Sequence, residues 1–243
     1  MATFLLVAGP PTSSALWKDV VQRIKMLGHE ARAIELFTAE PSNGVAWHTA
    51  LSTAIEECSG PVFLVAHGAA TAVARHVVNS TPPTGLILTN GPLNRLPKAY
   101  RLGRASLRAP GPLIPSALLL RLLASPIGLR RTVVNPYVWD HDTVVRVCGP
   151  LIRDHDTIDR VRRFMNELPK HINTAPTPTV PTRLIWGDSD TLIPPSNAVI
   201  FASEHSNTSI DIISGGHHFH PLERPWEIAD LAVSWSQVQS TTT

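Results

Sequence analysis

The sequence predicts an α/β fold: a mostly parallel central sheet flanked by helices, with a helical lid inserted late in the sheet. Three observations predict it. Short apolar runs alternate with segments whose apolar residues recur at helical spacing. The run Val62 to Ala66 is apolar throughout, as in a strand covered on both faces. The alternation then breaks between residues 92 and 178, where prolines and leucines replace it.

Thr3 to Ala8 reads as the first strand, followed by Gly9-Pro10-Pro11-Thr12-Ser13-Ser14, a loop of turn formers and hydroxyls. Leu16, Val20, Val21, Ile24 and Leu27 mark a helix that Gly28 stops. Ala31 to Leu36 is the second strand, and Trp47, Ala50, Leu51, Ala54 and Ile55 form the next helical face. Pro61 to Ala66 is the third strand, Ala69 to Val78 the helix after it, and Gly85 to Thr89 the fourth strand.

Within the insertion, Leu113 to Leu123 reads as a greasy helix, with Leu118, Leu119, Leu122 and Leu123 as an apolar roof. Ile158, Val161, Phe164, Met165 and Leu168 make a later helical stripe, while Pro136 to Val147 carries no clear pattern. Ala175 to Pro181 is an extended linker, since repeated prolines disfavour both helix and central strand. Arg183 to Trp186 resumes the sheet, Pro195 to Ala202 is a helix, Ser209 to Ile213 the last strand and Trp226 to Val238 the last helix. The core is therefore expected at residues 1–91 and 179–243, and the lid with its linker at 92–178.

Composition narrows the function classes. With 243 residues, 43% hydrophobic and 16% charged, the chain suits one folded domain with an inserted lobe. The net charge of +2 does not imply nucleic acid. Arg95, Arg101, Arg104, Arg108, Arg121, Arg130 and Arg131 concentrate mid-chain, which reads as a basic lobe surface. Cys58 and Cys148 form no paired motif, which fits a cytoplasmic protein without disulfides. The first strand begins without a signal-like leader and no apolar run of about 20 residues occurs, so no membrane association is expected.

Four separated stretches then occur in order. They are Ala8 to Ser14 with Trp17 beyond, Ala66-His67-Gly68-Ala69-Ala70, Trp186-Gly187-Asp188-Ser189-Asp190 with Pro194 beyond, and Gly216-His217-His218-Phe219-His220 leading to Pro225. In this order they resemble the first active-site loop, nucleophile elbow, acid loop and histidine segment of the α/β-hydrolase family, over essentially the whole chain. The resemblance implies Asp190 as acid, preferred to Asp188 for its spacing to Pro194. It implies His218 as base, preferred to His217 for its spacing to Phe219 and Glu223.

The nucleophile position, however, is Gly68. A serine-type acyl enzyme needs a hydroxyl there, and glycine has none. The resemblance also places one oxyanion donor at Ala69 N–H and the other at Pro10, which has no N–H. Losing one such donor typically costs about 2.7 to 4 kcal/mol in the transition state. Ordinary ester, thioester or amide hydrolysis is therefore disfavoured.

An imidazole held by a carboxylate still exchanges protons near neutral pH. The expected protein is thus a non-classical enzyme in which His218 is the general base, Asp190 orients it, and vacant Gly68 makes room for substrate. Ala69, Ser13 and Ser14 would position oxygen atoms. Gly9, Pro10, His67, Tyr137, Trp139, Asp140, His141 and His217 are candidate pocket residues. Packing beneath the elbow is preferred for His67, and packing or helix capping for the lid residues.

Cyclisation, elimination, decarboxylation or C–C cleavage of a small apolar oxygenated metabolite all suit such a base, in a setting such as natural-product metabolism. No cofactor and no metal are expected, because the spacing of His217, His218 and His220 matches no strong metal motif. The expected partner is a small-molecule substrate, with the chain a monomer or homodimer. The alternatives are a noncatalytic small-molecule-binding or interaction protein, in which glycine only relieves elbow strain, and a hydrolase using water or a relocated serine.

Overall fold

The computed structural model describes residues 1–37, 46–94, 121, 124–153 and 155–240. Their centre is a six-stranded sheet of β1 (Thr3–Ala8), β2 (Glu30–Ile34), β3 (Val62–His67), β4 (Gly85–Thr89), β5 (Thr182–Gly187) and β6 (Thr208–Ile213). The spatial order is β2-β1-β3-β4-β5-β6, and every pairing is parallel. The four inner strands are mostly or wholly buried because helices cover both faces.

On one face lie α2 (Ala46–Glu56), α3 (Ala70–Val77), α7 (His155–Thr174) and α8 (Ser196–Glu204), packed through Leu51, Val73, Phe164, Leu168 and Phe201. On the other, α1 (Lys18–Met26) and α10 (Pro225–Ser240), which follows the short α9 (His220–Glu223), pack through Val20, Ile24, Ile228 and Trp235. The first predicted helix is divided: Ser14–Trp17 is a 3-10 turn, and α1 begins only at Lys18. Ser13 causes this by capping the turn, its hydroxyl accepting from Ala15 N–H.

Between β4 and β5 the regular elements among the described residues are helices. They include α4 (Pro126–Leu129), a 3-10 turn at Pro136–Trp139, α5 (His141–Val147), α6 (Gly149–Ile152) and the long α7. Asp140 starts α5 by accepting the Thr143 N–H at 2.7 Å. The stretch 136–147, patternless in sequence, is thus ordered by capping and by burial of Trp139, Val144 and Val147. The greasy segment at 113–123, with its leucine roof, lies outside the described residues except for Arg121. Arg95, Arg101, Arg104 and Arg108 lie outside them too.

Arg75 on α3 ties both ends of the insertion to the core. Its guanidinium donates to Leu93 O at 2.6 Å, and to Ala175 O and Pro176 O at 3.2 Å each. Its remaining face rests on the Phe201 ring.

Candidate functional site

In an open parallel sheet, side chains that meet a ligand gather beyond the carboxyl ends of the strands, where the strand order reverses. That reversal falls between β1 and β3. Gly9 follows β1 there and Gly68 follows β3. The two turns touch backbone to backbone, since a Cβ built on Gly9 would sit 2.5 Å from Ala69 N. Gly68 takes φ +59°, the left-handed region that glycine occupies without strain. Its N–H donates to Thr89 O at 3.1 Å, and its carbonyl accepts both the N–H and the hydroxyl of Thr71. A sharp strand-to-helix turn results, with no side chain at its tip.

The next strands supply an acid and a base. Asp190 stands in the loop after β5 and His218 in the loop after β6; both are 3% exposed. His218 Nδ1 is 2.8 Å from Asp190 Oδ2. The other carboxylate oxygen, Oδ1, accepts the N–H of Leu192 at 2.8 Å and of Ile193 at 2.9 Å. Asn90, fully buried after β4, donates from Nδ2 to Oδ2 at 2.6 Å. Three N–H donors besides the histidine face this carboxylate and hold it ionised. The proton between the pair therefore belongs to His218 Nδ1, and Nε2 is the lone-pair nitrogen of the neutral ring. Nε2 has no partner among the described residues.

Electrostatics agree. Burial alone would raise the Asp190 carboxyl, but His218 and the donors from Ile193 and Asn90 outweigh it and hold it below the usual carboxylate value. His67 lies fully buried beneath the elbow and donates from Nε2 to His218 O at 2.9 Å. Burial, and then the neighbouring His218, push its pKa well below the ordinary histidine value. His220 is also buried, with Nδ1 donating to His217 O, and burial lowers it to about 4. Both rings are neutral braces of the loop that carries His218.

The residues named from sequence divide clearly. Of the two candidate histidines, it is the His218 ring that reaches a carboxylate. His217 instead offers its carbonyl to Asn90 and His220. Asp188 is exposed and locks a turn, accepting from Ser189 Oγ and Gly215 N–H. Trp139 is buried, edge-on to Phe219 with ring centres 5.1 Å apart, and so backs the residue next to His218. Tyr137 is 85% exposed. Asp140 and His141 are also exposed. Packing or helix capping is the preferred expectation for these pocket candidates, and Asp140 does cap α5.

The first loop has no free backbone N–H to replace Pro10. Gly9 N–H donates to His67 O, Thr12 N–H to Gly9 O, Ser13 N–H to Val147 O and Ser14 N–H to Glu35. Pro10 and Pro11 have none. Ala69 N–H remains without an acceptor among the described residues. The Ser13 hydroxyl is engaged in its cap, and neither it nor Ser14 Oγ bonds His218.

Asn90 was missed in the sequence. Its φ of +41° is the one left-handed non-glycine conformation among the described residues, and its partners lie 97 to 127 positions away. The local signal was only the turn-forming run Asn90-Gly91-Pro92 after an apolar strand.

No family model matches the chain, and no curated protein matches it. Solved structures do. A putative ancestral haloalkane dehalogenase matches with TM-score 0.78 at 19% identity, covering 99% of this chain and 92% of that one. An epoxide hydrolase from Vigna radiata matches with TM-score 0.75 at 16% identity, covering 97% and 91%. A thermophilic esterase from Thermogutta terrifontis matches with TM-score 0.73 at 18% identity, covering 98% and 90%. The fold is that of the α/β-hydrolases. Three activities on one architecture leave the chemistry to the site.

Proposed function

We propose that this α/β-hydrolase-fold chain is a cofactor-independent enzyme in which His218 acts as a general base without a serine nucleophile. The observation that carries this reading is the buried His218–Asp190 pair: the ionised carboxylate fixes a ring proton on Nδ1, so that Nε2 is the nitrogen that exchanges protons with a substrate. Nε2 takes a proton from a C–H beside a carbonyl, or from a hydroxyl, of a small apolar metabolite seated over Gly68. In the C–H case the electron pair passes to the carbonyl oxygen, and Ala69 N–H is the donor placed to meet it. The imidazolium then returns the proton to carbon or to a departing group. Elimination, cyclisation and retro-aldol-type C–C cleavage share this abstraction; in decarboxylation the electron pair comes instead from the C–CO2 bond as CO2 leaves, and the imidazolium supplies the proton that returns to carbon.

The single remaining donor argues against tetrahedral acyl chemistry, and so does the missing hydroxyl. A fluorophosphonate probe should therefore leave the protein unlabelled. The ligand recovered by denaturing protein pulled from a cell extract should exchange a proton for deuterium in D2O with the native chain, and not with His218→Ala. Labelling at Ser13 or Ser14 would overturn the proposal in favour of a relocated serine.

A second reading rests on Gly68 itself. Its φ of +59° is where a non-glycine residue is strained, so glycine there favours folding whether or not chemistry survives. A noncatalytic binder would retain the recovered ligand with no exchange in either protein.

A further inference from the structure

Away from the elbow, three histidines from three helices meet on the face covered by α2, α3 and α7. The ring centres of His48 and His76 are 5.2 Å apart, those of His48 and His171 5.4 Å, and those of His76 and His171 5.8 Å. Glu167, one turn before His171 on α7, brings a carboxylate oxygen to 3.7 Å from His171 Nε2. We propose that His48, His76 and His171, with Glu167, form a binding site for a late first-row divalent cation, zinc above all.

The triangle has the dimensions of a metal site. With zinc–nitrogen bonds of about 2.0 to 2.1 Å and tetrahedral angles, two imidazole ligands have ring centres about 5 to 5.5 Å apart. As the side chains stand, the described residues gather no three ligating atoms around one point. The nitrogens, however, swing about the Cβ–Cγ bond while the ring centre lies close to that axis and hardly moves. That torsion is also soft for histidine. Ring spacing is thus the property that persists through the adjustment; the two spacings from His48 already fall in that range, and His76–His171, at 5.8 Å, lies just beyond it.

The chemistry fits as well. Nε2 of His48 and of His171 are both buried without hydrogen-bond partners. His76 donates from Nε2 to His171 O at 2.9 Å, which leaves Nδ1 as its lone-pair nitrogen. Trp47 and Phe164 stand against His171 and form an apolar wall. The cation would strap α7, the last helix of the insertion, to α2 and α3 of the core.

Untagged protein stripped with a chelator and titrated with zinc chloride tests this by calorimetry. One ion per chain is expected, with affinity falling about tenfold or more in His48→Gln and in His171→Gln. His155→Gln, an exposed histidine elsewhere on α7, should bind like the parent. Cobalt(II) in place of zinc should give the intense visible absorption of a tetrahedral centre. Absence of saturable binding, or affinity unchanged in both variants, would overturn the site. If either variant fails to fold by circular dichroism, zinc-soaked crystals of the parent chain decide. Anomalous scattering between the three rings supports the site, and scattering only elsewhere refutes it.

Discussion

Asn90 Nδ2 lies 2.6 Å from Asp190 Oδ2, the same oxygen that accepts from His218 Nδ1 at 2.8 Å. This amide thus helps to hold the acid ionised and oriented, and the same amide nitrogen also reaches His217 O. Replacing Asn90 by glycine keeps the left-handed backbone but removes the amide. Hydrogen bonds to charged groups contribute about 1.5 to 3 kcal/mol. N90G should lose stability on that order in urea titrations, less whatever strain the glycine relieves. It should also weaken any His218-dependent proton exchange. An unchanged unfolding midpoint would show that Asn90 is not the brace described.

Gly68→Ser tests whether a hydroxyl alone restores hydrolysis. The residue must keep a left-handed φ of +59°, a strain of about 1 to 3 kcal/mol. Because the first loop has no free N–H, the variant should stay a poor esterase towards p-nitrophenyl acetate. Burst kinetics followed by rapid turnover would contradict the donor count.

Gly9→Ala drives a methyl group to 2.5 Å from Ala69 N and 2.7 Å from Ala70 N. These contacts are backbone, so no side chain can move aside. Overpacking typically costs about 1 to 3 kcal/mol, and here the upper end or beyond is expected. Thermal melts should fall accordingly. Gly187→Ala, which would press β5 against Gly216 before the histidine loop, should behave alike.

The buried histidines make the fold acid-sensitive. Burial first lowers His220 from 6.5 to about 4, and lowers His67 as well. The unfolded chain therefore takes up these protons at higher pH than the folded one. Stability is complete above the unfolded value of 6.5 and is lost progressively as pH falls towards 4. For His220 the full shift corresponds to on the order of 3 kcal/mol. Urea midpoints should drop from pH 7 to pH 4.5, and His220→Gln should flatten that slope. A pH-independent midpoint would be the contrary result.

Much of this was legible in the sequence because the relevant signals are local. The run Val62 to Ala66 could only be a covered strand, and Gly68 after it announced both a left-handed turn and a missing hydroxyl. Asp190 and His218 stood out through the resemblance of their loops to the family's acid and histidine segments, and the structure pairs them. What escaped was whatever depends on partners far along the chain. Asn90 looks like any turn residue until β5 and β6 arrive beside it. Tyr137 and Asp140 looked like pocket chemistry because an aromatic next to an acid reads the same on a surface cap. His48, His76 and His171 lie on three helices, and no spacing rule joins them.

Arg75 holds Leu93 O at one end of the insertion and Ala175 O and Pro176 O at the other. The described ends of the insertion therefore share one guanidinium of the core as an anchor. A segment of other sequence grafted between those carbonyls would meet the same cation, because backbone oxygens are offered by any residue.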